Sequence, residues 1–263
     1  MDAPNQLMDS VPVPVIFILL IVIGLLIYEG GFRLGRWYQH RTPDEKEGST
    51  GLMVGSLLGL LALLLAFTVG MAADRFDARR KLNVEEANAI GTAFLRAGFL
   101  PEPFHTEIRS LMREYAPLQI LSPNREVTLA NLDRSSELLD QIWAQTEELA
   151  RQNMDTEMIT LFVEAVNVMI DTHESRVVAS IYARVPETII YVLIIGSTLT
   201  VGMIGYNAGL LRRRSLTGAV VLVVVLTTVI TLVIDLDRPR DGLLIVSQQP
   251  FLNLQAIMDA PES

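Results

Sequence analysis

The chain has no cysteine among its 263 residues. Disulfides, thiolate catalysis and cysteine-based metal sites are therefore excluded, and nothing about compartment follows. There is no basic excess either: 21 Lys and Arg stand against 30 Asp and Glu, for a net charge of −9. Nucleic-acid binding needs a cationic surface that displaces counterions, so no nucleic-acid partner is expected. Charge is scarce overall, at 19% of residues against roughly 25% in an ordinary soluble domain. It is also uneven. Residues 51–73, 188–211 and 215–234 carry none, while residues 74–186 hold 18 acids and 12 Lys or Arg. That is the pattern of a membrane protein with a polar insert.

Catalytic signatures are missing too. The three histidines, His40, His105 and His173, lie in separate segments, and none has a partner four residues away to complete a metal site. In "DTHES", Asp171 and Glu174 neighbour His173, but adjacent residues on a helix point apart. No phosphate loop, dinucleotide glycine fingerprint or nucleophile elbow occurs. No enzyme activity, cofactor or metal is expected.

What the sequence does have is grease in long runs. Half of it is apolar and mean hydropathy is +0.37. A spanning helix needs about 20 apolar residues, and four segments qualify: 11–32, 51–73, 188–211 and 215–234. The first follows ten residues with Asp2 and Asp9 and no Lys or Arg, and no small-x-small cleavage site follows it. An uncleaved anchor is expected rather than a signal peptide. Tyr28, Trp37 and Tyr38 suit an interfacial aromatic belt at its end. Only Arg212–Arg214 separate the last two spans, which predicts a tight hairpin. Near the spans, seven Lys or Arg lie on one side of the membrane and eight on the other, so the positive-inside rule sets no orientation. The acidic N-terminal tail leans toward an outside N-terminus.

The second span carries small residues at Gly51, Gly55, Gly59, Ala62, Ala66, Gly70 and Ala73. Their steps of 4, 4, 3, 4, 4 and 3 make an 11-residue period, which keeps them on one helical face. Lipid gives helices no hydrophobic reason to associate, so small faces mark close backbone packing. Two partners fit: a neighbouring helix of the same subunit, or copies of the same helix around a shared axis. No proline falls between Pro43 and Pro101, and after Asp74 the stripe Ala87, Ile90, Phe94, Ala97 keeps helical spacing. Residues 51 to about 98 are predicted to form one helix, with Gly91 as a candidate kink.

Residues 74–186 read as an all-helical extramembrane domain. One helix is expected in "PEPFHTEIRSLMREYAPL", another in "LDRSSELLDQIWAQTEELARQ" capped by Asp133, and a third from about Asp155 to Arg184. The third has the stripe Met158, Phe162, Ala165, Met169, which runs on into His173, Arg176 and Ser180. The outgoing helix, followed back from Ala87, reaches Arg80 and Asp77. Counted from the bilayer, Glu85, Glu86 and Asn88 stand level with His173 and Arg176. A membrane-proximal polar cluster of Asp77, Arg80, Glu85, Glu86, Asn88, His173 and Arg176 is predicted. It reads as a structural ion-pair network or as a functional site. After the fourth span, Asp235, Asp237 and Arg238 are expected in a charged turn, and the tail through residue 263 is expected to dock on the insert.

"LLAFTVGMAADRFDARRKLNVEEANAIGTAFLRAGFLPEP" (64–103), "DTHESRVVA" (171–179) and "DRPRDGLLIVSQQP" (237–250) together resemble the bestrophin-like domain family of bacterial membrane proteins. The resemblance implies a distant likeness to bestrophins, which are pentameric ion channels with four spans per subunit. Their second span lines the pore, and a helical domain between spans two and three lies in the cytosol. By that likeness, Gly55, Gly59, Ala62, Ala66 and Gly70 are the pore-lining or helix-packing candidates. The expected setting is the bacterial inner membrane, the expected assembly a homo-oligomer (a pentamer if bestrophin-like), and the expected cargo small ions. The sequence departs from bestrophins in lacking an acidic calcium clasp. It also lacks an aromatic-rich constriction in the second span, which has only Phe67 and, later, Phe76. Calcium gating and anion selectivity are not carried over. A non-conducting membrane scaffold or sensor, whose insert binds a partner, is the other reading.

Overall fold

The computed structural model describes residues 11–41, 47–122, 124–152, 157–238 and 242–260. The described chain is all-α. Its helices are α1 (Val13–Arg41), α2 (Glu47–Ala97), α3 (Phe104–Leu118), α4 (Arg125–Arg151), α5 (Glu157–Val177), α6 (Glu187–Leu210), α7 (Leu216–Asp237) and α8 (Gln249–Met258). A π-helical turn, Val178–Tyr182, follows α5. Four helices, α1, α2, α6 and α7, are long and apolar enough to cross a bilayer. The helix α2 runs unbroken for 51 residues, roughly 77 Å at 1.5 Å per residue, far more than the ~30 Å of a bilayer core requires. No break occurs at Gly91.

The chain divides into two units. The membrane unit contains residues 1–75, 184–238 and 242–244. Its tightest seam joins α1 to α6, and glycine makes it possible. A Cβ on Gly31 or Gly35 would overlap the carbonyl oxygen of Gly202 or Tyr206, and one on Gly205 or Gly209 would overlap that of Tyr28 or Phe32. The two backbones touch, which is how apolar helices gain dispersion contacts in lipid. Around the seam, Tyr28, Val201, Ala219 and Val223 form one buried cluster. Leu61 of α2 joins Leu193, Ile230 and Ile234 in another.

The second unit, residues 76–183, 239–241 and 245–263, is built like a soluble helical domain. Ala87, Ile90, Phe94 and Ala97 of α2 pack with Ile108 and Met112 of α3, Leu138 and Ile142 of α4, Phe162 and Met169 of α5, and Phe251 and Leu254 of α8. Burial of each such Ile, Leu, Met or Phe contributes roughly 1.5–3 kcal/mol, so water drives this core. α8 starts with Pro250 in its first turn and lays Phe251, Leu254 and Met258 into that core.

Three local expectations need correction. α4 begins at Arg125, not near Asp133, because Asn124 caps it: its Oδ1 accepts from the Glu126 amide at 2.8 Å. Asp133 lies within the helix. The inward stripe of α5 starts at Ile159, and Met158 is exposed; the expected start at Asp155 lies outside the described residues. Asp235 and Asp237, expected in a charged turn, lie in the last turn of a helix. α7 extends to Asp237, and both carboxylates are buried.

Candidate functional site

The buried stripe of α2 in the second unit ends in a charge. Glu86 is fully buried, on the same side as Asn83 and Ile90. Opposite it, the stripe of α5 brings His173 and Arg176, both at most 3% exposed. Arg176 Nε donates to Glu86 Oε2. His173 Nδ1 lies 2.9 Å from Glu86 Oε1 and 2.9 Å from the Tyr115 hydroxyl, which donates to the same Glu86 oxygen at 3.3 Å. A proton on Nδ1 accounts for the three contacts when it is shared between Glu86 Oε1 and the Tyr115 oxygen while the phenol donates its own proton to Glu86.

The network then closes on itself. Arg176 Nη2 donates to Gln119 Oε1 at 2.6 Å. Gln119 Nε2 donates to the Tyr115 carbonyl at 3.1 Å and to Ser135 Oγ at 3.0 Å. The Arg176 guanidinium also lies over the Phe251 ring of α8, 5.4 Å from its centroid. Burial pushes the Glu86 carboxyl up, but the hydrogen bond from His173 and the charge of Arg176 outweigh it and hold the group below its ordinary 4.5. Burial, reinforced by the Glu86 charge, pushes the Tyr115 phenol well above 10, so it stays a neutral donor. These groups are too deeply buried to meet a dissolved substrate. The arrangement clamps α2, α3, α4 and α5 together.

Four of the seven residues expected here stand elsewhere. Asp77 is exposed and faces Lys81 at 3.7 Å. Arg80 is exposed, whereas its neighbour Arg79 is buried. Glu85 and Asn88 are exposed and line an open cleft with Thr92, Arg96, Glu164 and Thr172. Tyr115, Gln119 and Ser135 were missed. The available signal was the α3 stripe Phe104, Ile108, Met112, Tyr115, whose last member carries a hydroxyl that burial forces to find a partner.

In the membrane unit, Asp235 Oδ1 and Oδ2 accept the amides of Leu243 and Leu244 at 2.7 and 3.0 Å. Asp237 Oδ1 accepts the Val185 amide at 2.7 Å, with Arg184 beside it at 3.4 Å. Arg238 donates to the Val11 carbonyl at 2.7 Å. These are anchors for chain crossings. Among the described residues, no group of three or more His, Cys, Asp or Glu is placed to hold a metal.

Among the described residues, nothing packs against the glycines on the small-residue face of α2. Gly55, Gly59, Ala62, Ala66 and Gly70 are all exposed, and a Cβ on any of Gly51, Gly55, Gly59 or Gly70 would meet no atom within 4 Å. A same-subunit partner is thereby ruled out among the described residues. Extended at the same period, the face reaches Asp77, Lys81, Val84, Asn88, Thr92 and Leu95, all exposed.

A model of the bestrophin-like domain matches residues 16–251. The chain belongs to that family. Solved structures with a similar fold include variants of a bacterial bestrophin homologue from Klebsiella pneumoniae. One is 14% identical, with TM-score 0.69 over 92% of this chain and 97% of that one. Another is 13% identical, with TM-score 0.68 over the same shares. A membrane-protein variant, 14% identical, reaches 0.70, again over 92% and 97%. No curated protein matches the sequence. At such identities the likeness shows the fold of this bestrophin-like chain, not its residue roles.

Proposed function

We propose that this bestrophin-like protein assembles into a homo-oligomeric ion channel, with α2 of each copy around a central axis. The carrying observation is the open face of α2: glycines and alanines along a span, exposed, with none of the described residues of the same chain against the glycines. Small side chains let several helices crowd one axis and leave a path between them. The family resemblance adds a pentamer of subunits, an insert in the cytosol and a bacterial inner membrane setting, with small ions as cargo. The pore-lining candidates are Gly55, Gly59, Ala62, Ala66 and Gly70. A non-conducting scaffold or sensor is the competing reading, favoured by the exposed apolar side chains Val84, Leu95 and Ile257 on the second unit.

Mass measurement of the protein in detergent and in lipid discs tests assembly, with a pentamer expected and a uniform monomer fatal to the proposal. Flux from liposomes tests conduction. Gly59→Leu should abolish assembly or flux. If that variant assembles and conducts as the parent does, this face does not line the path. Absence of flux across several salts and voltages, from an assembled protein, selects the scaffold.

A further inference from the structure

Arginines gather where α1 ends and α6 turns into α7. Arg33 and Arg36 follow the apolar run of α1, and Arg212, Arg213 and Arg214 form the turn; all five are exposed. Side chains tie the two segments into one surface. Arg212 Nε donates to Gln39 Oε1 at 2.7 Å, and Arg214 donates to Glu29 at 2.8 Å. Glu29 also accepts from Arg33 at 2.9 Å. It is the one acid among the described residues of 28–40 and 205–216, so five cations against one anion leave +4 there. Arg36, Arg212 and Arg213 pair with no carboxylate among the described residues.

The turn itself places a long side chain where the backbone favours glycine. Arg212 has φ 52°, in the left-handed region. Its amide bonds to the Gly209 carbonyl, and that of Arg213 to the Ala208 carbonyl. This is the helix-ending motif in which glycine is preferred at the Arg212 position. Beside the turn, Trp37 is 51% exposed, and the Tyr38 ring lies tilted against that of Tyr206 with centroids 6.4 Å apart. Tryptophan and tyrosine settle at headgroup depth, and guanidinium groups bind phosphate oxygens in pairs.

Burial reveals an asymmetry that charge counting hides. Of the eight cations at the other ends of the spans, Arg79, Arg176 and Arg238 are buried, and the side chain of Arg184 is 7% exposed beside Asp237. In the stretch 74–81, Arg75, Arg80 and Lys81 remain accessible, offset by the exposed Asp74 and Asp77, leaving +1.

We propose that the arginine surface formed by Arg33, Arg36 and Arg212–Arg214 binds the headgroups of anionic phospholipids. This goes beyond the channel reading and does not depend on conduction.

The chain has two tryptophans, Trp37 and Trp143, so a Trp143→Phe background leaves Trp37 as the sole reporter. Full-length protein is reconstituted with brominated phosphatidylglycerol or brominated phosphatidylcholine, and quenching of Trp37 gives their relative binding. Phosphatidylglycerol should be preferred. The preference should weaken as salt shortens the reach of charge. Each near-surface cation is worth roughly fivefold, so R213Q should lower the preference about fivefold and R212Q/R213Q/R214Q roughly a hundredfold. The triple lysine variant should restore most of it. Equal quenching by both lipids in the parent background, or an undiminished preference in R213Q, would overturn the proposal. So would loss of the preference when inorganic phosphate is added at constant ionic strength, because the surface would then take a free anion. If the triple variant fails to fold, R213Q and the salt series decide.

Discussion

Two glycine-bearing surfaces in the membrane unit look alike in sequence and meet opposite fates. On α6, Gly202, Gly205 and Gly209 step by 3 and 4, and on α1, Gly31 and Gly35 step by 4. These are used up within the chain, each backbone pressed against the other. On α2, Gly51, Gly55 and Gly59 step by 4, and among the described residues nothing would lie within 4 Å of a Cβ there. In lipid, the interfaces where helices come close are enriched in small residues. The α1–α6 seam has its partner, and the α2 face has none among the described residues. The difference separates the glycines that close the α1–α6 seam from those that no described residue meets.

The largest way to break this contrast is Gly205→Leu. A side chain there has no room to turn aside, because the obstacle is the Tyr28 carbonyl and the Phe32 amide rather than a movable side chain. The helices must part, and the loss should reach or exceed the ~3 kcal/mol at the top of the usual range for overpacking. Thermal unfolding in detergent, followed by Trp37 on α1, should show little or no folded membrane unit. A variant that melts like the parent would mean that the α1–α6 seam is looser than described.

Next in size is the clamp that fixes the far half of α2. Glu86→Gln leaves Arg176 buried without its carboxylate, and removing one partner of a buried pair costs about 3–5 kcal/mol. Arg176→Gln should cost a similar amount, and the double variant clearly less than the sum, since the two changes remove one interaction. Trp143, on α4 and packed against this core, reports the melting. Additive losses would show that the two side chains do not interact. The same clamp sets a pH response. The Glu86 carboxyl is held below its ordinary 4.5. Its stabilisation is therefore complete above about that value and lost as pH falls through the lower folded value. Acid unfolding of the second unit should begin below pH ~4.5, and Glu86→Gln should flatten that limb.

The sequence made the membrane spans and the continuous α2 legible, because hydropathy and the lack of proline are local properties. The polar cluster was legible only in part. Counting residues from the bilayer puts Glu86, His173 and Arg176 at one height, since rise per residue is fixed along a helix. Tyr115 and Gln119 sit on α3, which does not connect to a span, so no such ruler reaches them. The register slipped for a different reason. With Ala87 taken as the centre of the buried stripe, seven residues back lies Arg80. With Glu86 as centre, it is Arg79, which is the buried one. A charged residue at the middle of an apolar face reads as an outsider until its partner is known. Likewise, spacing shows that a glycine face exists but not what lies across from it. Copies of α2 and a neighbouring α6 would demand the same pattern.

The smallest change sharpens the comparison most. Gly59→Ala adds one methyl group to a face where nothing lies within 4 Å, so the isolated subunit pays no steric penalty. A helix interior prefers alanine to glycine by up to about 1 kcal/mol, and a free face should show a gain of that order or none. Gly205→Ala, the same methyl set against a backbone carbonyl, should lower the melting temperature instead. Opposite signs for one substitution at two glycines is what an open face and a closed seam require. If Gly59→Ala destabilises a protein held monomeric in detergent, something within the chain already covers α2. If it is harmless to the monomer but weakens the oligomer, the missing partner of Gly59 is another copy of the chain.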